Sequence, residues 1–139
     1  MAIDNICYVL NNFLNNNNFD YIIFSWVLHK QEDHDIIISS LRNQNMNFEL
    51  YDISLIANED TLKERLKERM FSKAMDFNVV FDEENLLKTL KGSLNKMNQI
   101  INLNTIKLDV SNKNKQQVLE SVLAIVGIDY SKKNIYIKH

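Results

Sequence analysis

Proline is absent from this sequence, and it has only two glycines, Gly92 and Gly127. Without glycine-rich stretches the chain has no loop of the G-x-x-x-x-G-K-[ST] kind, which holds nucleotide phosphates with its backbone N–H groups. Tight turns must then rely on asparagine, the other residue that tolerates a positive φ. The asparagine-rich stretches at 11–18 and 43–47 are therefore interpreted as loops and helix ends rather than as ligands.

Cysteine is also scarce, since Cys7 is the only one. A disulfide or a cysteine zinc site is excluded within one chain, and Cys7 is predicted to be a buried thiol that packs as a small hydrophobe. No apolar run is long enough to span a bilayer. The N-terminus, MAIDNICYVL, carries an acid and no basic region, so it is not interpreted as a signal peptide. We expect a cytoplasmic protein without a membrane partner.

Length and charge further restrict the number of domains and the kinds of partner that the sequence allows. With 139 residues, 45 % of them hydrophobic, the chain is expected to fold as one domain over 1–139. Its formal net charge of −2 lacks the basic excess typical of nonspecific nucleic-acid binders. We therefore predict no nucleic-acid partner, although a nucleotide ligand would need only one local cationic pocket.

Apolar periodicity predicts alternating helices and strands. Helical spacing predicts five helices, over residues 1–14, 31–43, 59–74, 82–101 and 114–126. Asn58 and Asp82 are predicted N-caps, Ser111 or Asn112 is expected to open the last helix, and Gly127 to end it. Aromatic and β-branched runs predict three strands, over 20–28, 48–56 and 105–110. The tail NIYIKH is either a short edge strand or a frayed end. The order predicts a three-layer α/β fold with a mostly parallel sheet.

Ligands of open parallel sheets bind beyond the carboxyl ends of the strands. Ser25, Trp26 and His29 close the first predicted strand, and Asp109 closes the third. His29 is the best candidate for a ligand contact, although a backbone hydrogen bond at a strand end is the more common role. Trp26 is likewise more often a core residue than a stacking platform.

Charged residues on two helices require separate interpretation. Asp33, His34 and Asp35 are interpreted as a solvated first turn, because successive helical residues point about 100° apart and do not readily share a metal. No metal ligand is predicted. Arg65 and Arg69 lie one turn apart and form either a phosphate clamp or ion pairs with neighbouring glutamates.

Four phrases of the sequence resemble a known family: NICYVLNNFL, YIIFSWVLHKQ, ISLIANEDTLKERLKER and NTIKLDVSN. Over most of the chain they are similar to the small bacterial P-loop nucleotide-kinase-like proteins, often described as AAA-family ATPases or nucleoside kinases. The resemblance implies a P-loop kinase type of sheet, ATP and Mg²⁺ as ligands, and a lid-like helical segment over 75–101. It implies that the strand end from Ser25 to His29 faces the acceptor substrate and the γ-phosphate. Together with the strand-end and helix-face reasoning above, the ligand-binding candidates are Ser25, Trp26, His29, Arg65, Arg69 and Asp109.

The chain departs from this family at its defining feature. The phosphate-binding loop and its strand are missing, and no arginine follows Arg69, whereas family lids usually carry arginines. The resemblance therefore implies a protein that is inactive as a kinase in this form, with no catalytic residue assigned. Loss of a central strand would leave apolar strand edges unpaired. Direct pairing of the remaining strands, insertion of NIYIK or association with another chain would repair the sheet.

Four functions stay open at this point. The chain is a catalytically incompetent kinase remnant, a regulatory module that binds a nucleotide or another small ligand, an enzyme that uses His29 with Asp52 or Asp109, or an obligate subunit. As a subunit it would form a homo-oligomer or join a partner chain that brings the P-loop. Association between chains is the repair that we favour.

Overall fold

A computed structural model describes residues 2–16, 18–44, 48–78 and 80–128. Helices account for 63 % of these residues, and only two short strands accompany them. The elements in chain order are α1 (Ala2–Leu14), α2 (Gln31–Gln44), β1 (Ile53–Ile56), α3 (Glu59–Phe77), α4 (Glu83–Ile101), β2 (Ile106–Asp109) and α5 (Lys115–Val126). The predicted three-layer α/β fold of P-loop kinase type is therefore wrong, whereas all five predicted helices are confirmed.

The sheet prediction is wrong because one predicted strand does not form and another is much shorter than predicted. Residues 20–28 form no strand, and the strand predicted over 48–56 is reduced to β1. β-propensity describes how well a residue fits a pleated, half-buried surface, so it needs a neighbouring strand before it produces one. Within this stretch, Ile22 and Leu28 pack against the core formed by two helices instead. The tail NIYIKH lies outside the described residues.

The chain divides into two compact units, residues 1–50 with 102–104 and residues 51–101 with 105–139. The first unit is built from α1 and α2, whose apolar stripes meet in a core of Cys7, Leu10, Ile37 and Leu41. Ile22 and Leu28 from the connecting segment, and Phe48 after α2, pack against this core. The buried free thiol of Cys7 confirms its predicted role. Neither the single-domain interpretation nor the lid-like role of 75–101 is tested by this division.

The second unit is organised around the pair of parallel strands. β1 and β2 run in register from Ile53 opposite Ile106 to Ile56 opposite Asp109. The crossover between them contains α3 and α4, which pack through a core of Leu66, Leu86 and Leu90. α4 also contacts β1. Helix packing therefore supplies most of the apolar burial of this unit, since each strand has only four residues.

Helix ends follow the expected capping chemistry, with one shift. The Asn58 side chain accepts the Thr61 N–H at the start of α3, as predicted. The cap of α5 is Asn114 rather than Ser111 or Asn112, because Asn114 and Gln117 exchange side chain-to-backbone hydrogen bonds in a capping box. Gly127 ends α5 with φ 83°, the left-handed conformation that favours glycine.

Within the described parts of the chain, no helix is long and apolar enough to cross a membrane.

The two glycines predict opposite effects of alanine. Gly127→Ala should lower the free energy of unfolding by about 1 kcal/mol, because a Cβ disfavours the left-handed conformation. Gly92→Ala should raise it by roughly 0.5–1 kcal/mol, because Gly92 lies inside α4 and nothing stands within 4 Å of the added Cβ. Urea denaturation of both variants measures this; two changes of the same sign would contradict the assigned conformations.

Candidate functional site

The carboxyl ends of β1 and β2 meet at one edge, where the sequence predicted a ligand site. The Val110 N–H donates to the Ile56 carbonyl at 2.8 Å, so the ladder continues one residue past β2. Beyond it, the turn into α3 and the turn into α5 lie side by side. We refer to this region, residues 56–61 and 109–114 with Arg65, as the carboxyl edge.

Ser111 joins the two turns. Its hydroxyl accepts the Asn58 N–H at 2.8 Å and donates to Oδ1 of Asp109 at 2.6 Å. Its carbonyl accepts the Thr61 hydroxyl at 3.2 Å. One serine thus connects the start of α3 to the end of β2 through both its side chain and its backbone.

The Asp109 carboxylate is held by the same serine. Oδ1 also accepts the Ser111 backbone N–H at 2.9 Å. These hydrogen bonds stabilise the ionised form, and with the charge of Lys113 they lower the pKa of Asp109 below its ordinary value. Asp109 is exposed, so the carboxylate is a local organiser of the turn rather than a buried charge.

Arg65 reaches the carboxyl edge from α3 and binds backbone there. Its Nη2 donates to the Val110 carbonyl at 2.9 Å and approaches the Lys113 carbonyl at 3.5 Å. Among the described residues, Arg65 thus binds backbone carbonyls rather than a neighbouring glutamate, and the phosphate clamp stays a prediction. Arg69, one turn further along α3, is exposed and makes no hydrogen bond or ion pair with another described residue.

Positive groups that could attract an anion are mostly used internally at this edge. The N-terminus of α3 is capped by Asn58 and that of α5 by Asn114. The Lys113 ammonium donates to the Ser121 hydroxyl at 2.8 Å. Side chains of the chain itself thus occupy the donors on which an anion site would depend. The arrangement is suited to holding two strand-to-helix turns together.

The other three predicted site residues, Ser25, Trp26 and His29, belong to the first unit. Ser25 is exposed and His29 half-buried. Trp26 is 64 % exposed and stacks in parallel on Phe24, with ring centroids 6.5 Å apart. Its interpretation as a core residue is therefore wrong. Arg65 and Asp109 come together at the carboxyl edge of the second unit.

Trp26 is part of a longer exposed stretch, residues 19–28, which we call the apolar segment. Ile23 is 91 % exposed, and five further large side chains of this stretch are exposed as well: Phe19, Tyr21, Phe24, Trp26 and Val27. Ile22 and Leu28 point to the core of the unit. An apolar surface of this extent on a water-facing segment is characteristic of an interaction site.

A groove of about 550 Å³ runs between the apolar segment and α1. α1 contributes Ile6, Val9, Leu10 and Phe13, and the apolar segment contributes its aromatic rings. The volume lies in the range of binding clefts, and apolar side chains dominate its walls.

In the part of the chain that the structure describes, no strand lies beside the backbone of residues 22–27. Among the described residues, no backbone-to-backbone hydrogen bond joins 22–27 to another segment. The chain runs without bend or turn from Tyr21 to Lys30, and the stacking of Phe24 on Trp26, two residues apart, is the spacing of an extended chain. Residues 22–27 thus form no ladder among the described residues, and the Phe24–Trp26 spacing agrees with an extended backbone at this point.

His34, interpreted from sequence as part of a solvated turn, is instead buried. Its Nε2–H donates to the Leu28 carbonyl at 3.0 Å, which fastens the end of the apolar segment to α2. The signal was available, because His34, Ile37 and Leu41 follow the i, i+3, i+7 spacing of a core stripe. Within the described residues, no group of three or more His, Cys, Asp or Glu side chains is placed to hold a metal ion.

Compared with known protein families, curated proteins and solved structures, the chain matches none of them. The resemblance to P-loop nucleotide-kinase-like proteins stays a prediction, and so do the ATP and Mg²⁺ that it implies.

Arg65 and Arg69 offer a matched pair for testing the carboxyl edge. Arg65→Met should lower the free energy of unfolding by about 1 kcal/mol, because the Val110 carbonyl loses its charged donor and keeps only the longer hydrogen bond from the Lys113 N–H at 3.3 Å. Arg69→Met should change it by less than about 0.5 kcal/mol, as is usual at exposed surface positions. Urea denaturation compares them; equal losses would show that the Arg65 contact adds nothing specific.

Ser111→Ala should raise the pKa of Asp109 toward its ordinary value, because the hydroxyl is the largest cause of the lowering. A carboxyl with a depressed folded-state pKa adds stability above its unfolded pKa, and this stability is lost as pH falls through the folded pKa. Stability of the variant should therefore depend less on pH in this acidic window. NMR titration of the Asp109 carboxyl carbon measures the pKa directly; an unchanged value would refute the role of Ser111.

Proposed function

We propose that this chain is a protein-association module, a subunit that works by binding an extended polypeptide segment along residues 19–28. The observation that carries the proposal is the exposure of six large apolar side chains on one stretch beside an apolar groove. This agrees with the interpretation of the chain as an obligate subunit.

Burial energetics support association at this surface. Aromatic side chains bury about 150–250 Å² each, and roughly half of that area is open on the rings of the apolar segment. Covering it would remove several hundred Å² of apolar surface from water, at about 25 cal/mol per Å². A gain of this size offsets a large part of the entropy lost when two chains associate.

The backbone supports a polypeptide as the bound partner. An extended, β-prone stretch presents N–H and C=O groups that another strand can pair, and its side chains alternate between two faces. A strand laid along residues 22–27 would supply the missing ladder and contact the exposed side chains as cross-strand pairs. Small apolar molecules would fill the groove but leave these backbone groups to water.

The kinase-like interpretation remains a separate prediction, in which a partner chain brings the phosphate-binding loop. At the carboxyl edge, Arg65 is engaged with backbone carbonyls, which favours a structural role for it over a phosphate contact. We place the protein in the cytoplasm, on the grounds of its single cysteine, which is a buried free thiol.

Site-specific photo-crosslinking in living cells tests the proposal. With p-benzoylphenylalanine in place of Ile23, irradiation should give a discrete protein adduct, because a bound strand would pass within reach of this position. Val80 provides the matched control, since it is an aliphatic residue exposed to a similar degree, 88 % against 91 %.

Position 80 should give no adduct of the same mass. Failure to obtain any protein adduct at position 23, or identical adducts from both positions, would contradict the proposal. Peptide mapping by mass spectrometry identifies the partner and the contacted segment.

A further inference from the structure

We propose that the strand bound by the apolar segment is the same segment of a second copy, paired antiparallel about Ser25. The inference rests on the proposed function and names its partner. It follows from the order of side chains over residues 20–30, which is complementary to its own reverse.

Centring the pair on Ser25 places every residue opposite a compatible one. The pairs, first copy to second, are Asp20 with Lys30, Tyr21 with His29, Ile22 with Leu28, Ile23 with Val27, Phe24 with Trp26, and Ser25 with Ser25. Opposite charges meet at both ends, apolar and aromatic side chains meet between them, and the small serines meet at the axis. Cross-strand pairs of these kinds stabilise antiparallel ladders.

Two-fold symmetry restricts the registers in which the two copies can pair. A two-fold axis through an antiparallel pair stands perpendicular to the sheet, so residues directly opposite each other must belong to the same face in both copies. Only registers centred on a residue satisfy this condition. Centring on Phe24 sets Asp20 against Leu28, and centring on Trp26 sets Asp20 against Glu32 and Ile22 against Lys30. Ser25 alone gives charge complementarity together with apolar matching.

The parallel arrangement is disfavoured by the same charges. In-register parallel pairing would set Asp20 against Asp20 and Lys30 against Lys30, and like charges directly opposite each other destabilise a sheet. In the antiparallel pair, the two copies meet along one continuous stretch of residues.

The surface available fits a dimer. The six exposed apolar side chains of the segment offer on the order of 600–700 Å² per copy. Exposed Val9 and Phe13 of α1 line the groove beside the segment and extend this surface. Stable interfaces bury about 800 Å² per partner, so the segment with part of α1 reaches the required size.

Charge exchange provides the first test, by sedimentation equilibrium at low salt. Asp20→Lys or Lys30→Asp alone should raise the dimer dissociation constant about tenfold, because each variant opposes like charges at both ends of the ladder. The double variant D20K/K30D should restore dimerisation to within about twofold, because the opposite pairs return in reversed order. An equimolar mixture of the two single variants should form heterodimers in preference to either homodimer.

Disulfide trapping provides the second test, and it reads the register directly. Ser25→Cys meets its own copy at the axis, so diamide should oxidise the two thiols to one interchain disulfide, with the two hydrogens transferred to the diamide. Ile23→Cys is the matched control, because its opposite residue is Val27 and two copies of position 23 are separated by four residues along the strand. Native Cys7 is buried in both variants.

Each result separates this inference from the proposed function. A monomer up to the solubility limit, combined with position-23 adducts to a different protein, would overturn self-association and leave the association module standing. A monomer without any adduct would overturn both. Single charge variants that dimerise as well as the native chain, or equal trapping at positions 23 and 25, would exclude the Ser25-centred register.

Discussion

Backbone N–H and C=O groups need hydrogen-bond partners, and the two units of this chain meet that requirement differently. In the second unit the pair of strands satisfies part of the backbone, and side chains satisfy more of it at the carboxyl edge. There the Ser111 hydroxyl receives the Asn58 N–H and the Arg65 guanidinium covers the Val110 carbonyl. In the first unit the His34 side chain donates to the Leu28 carbonyl, but residues 22–27 form no ladder among the described residues.

This difference explains why residues at the carboxyl edge form a junction rather than an open site. A parallel pair of four-residue strands has few ladder hydrogen bonds, so its turns need additional fixing. Arg65 and Asp109 have the chemistry of ligand-binding residues, and sequence reasoning placed Asp109 at the end of a strand but Arg65 only on a helix. The sequence could not predict which hydrogen bonds Arg65 makes, because its acceptors are backbone carbonyls about 45 residues away along the chain. Side-chain patterns carry no signal for such partners.

Helices were predictable here because their signals are local. Apolar stripes, Asn58 at the start of α3 and Gly127 at the end of α5 lie within a turn of the residues they organise. Strands depend on a partner distant in sequence, and the strand prediction failed where that partner is missing. β2 formed because β1 lies beside it; residues 20–28 have stronger strand composition and formed none. His34 and Trp26 show the same limit for burial, since the polar residue is buried and the aromatic one exposed.

The apolar segment therefore has the composition of a central strand, but the first unit provides no neighbouring strand for it among the described residues. Residues rich in β-branched and aromatic side chains on both faces suit a central strand, which has a neighbour on each side. Here Ile22 and Leu28 pack on the helical core, whereas Phe24 and Trp26, which an extended chain places on the same side, and Ile23 and Val27, on the other side, remain exposed. In an isolated monomer these side chains would stay in water and residues 22–27 would lack a ladder among the described residues, whereas an added strand would pair the backbone and contact the side chains at its edge. The composition that suggested a buried strand is thus consistent with the structure once the neighbouring strand comes from another chain.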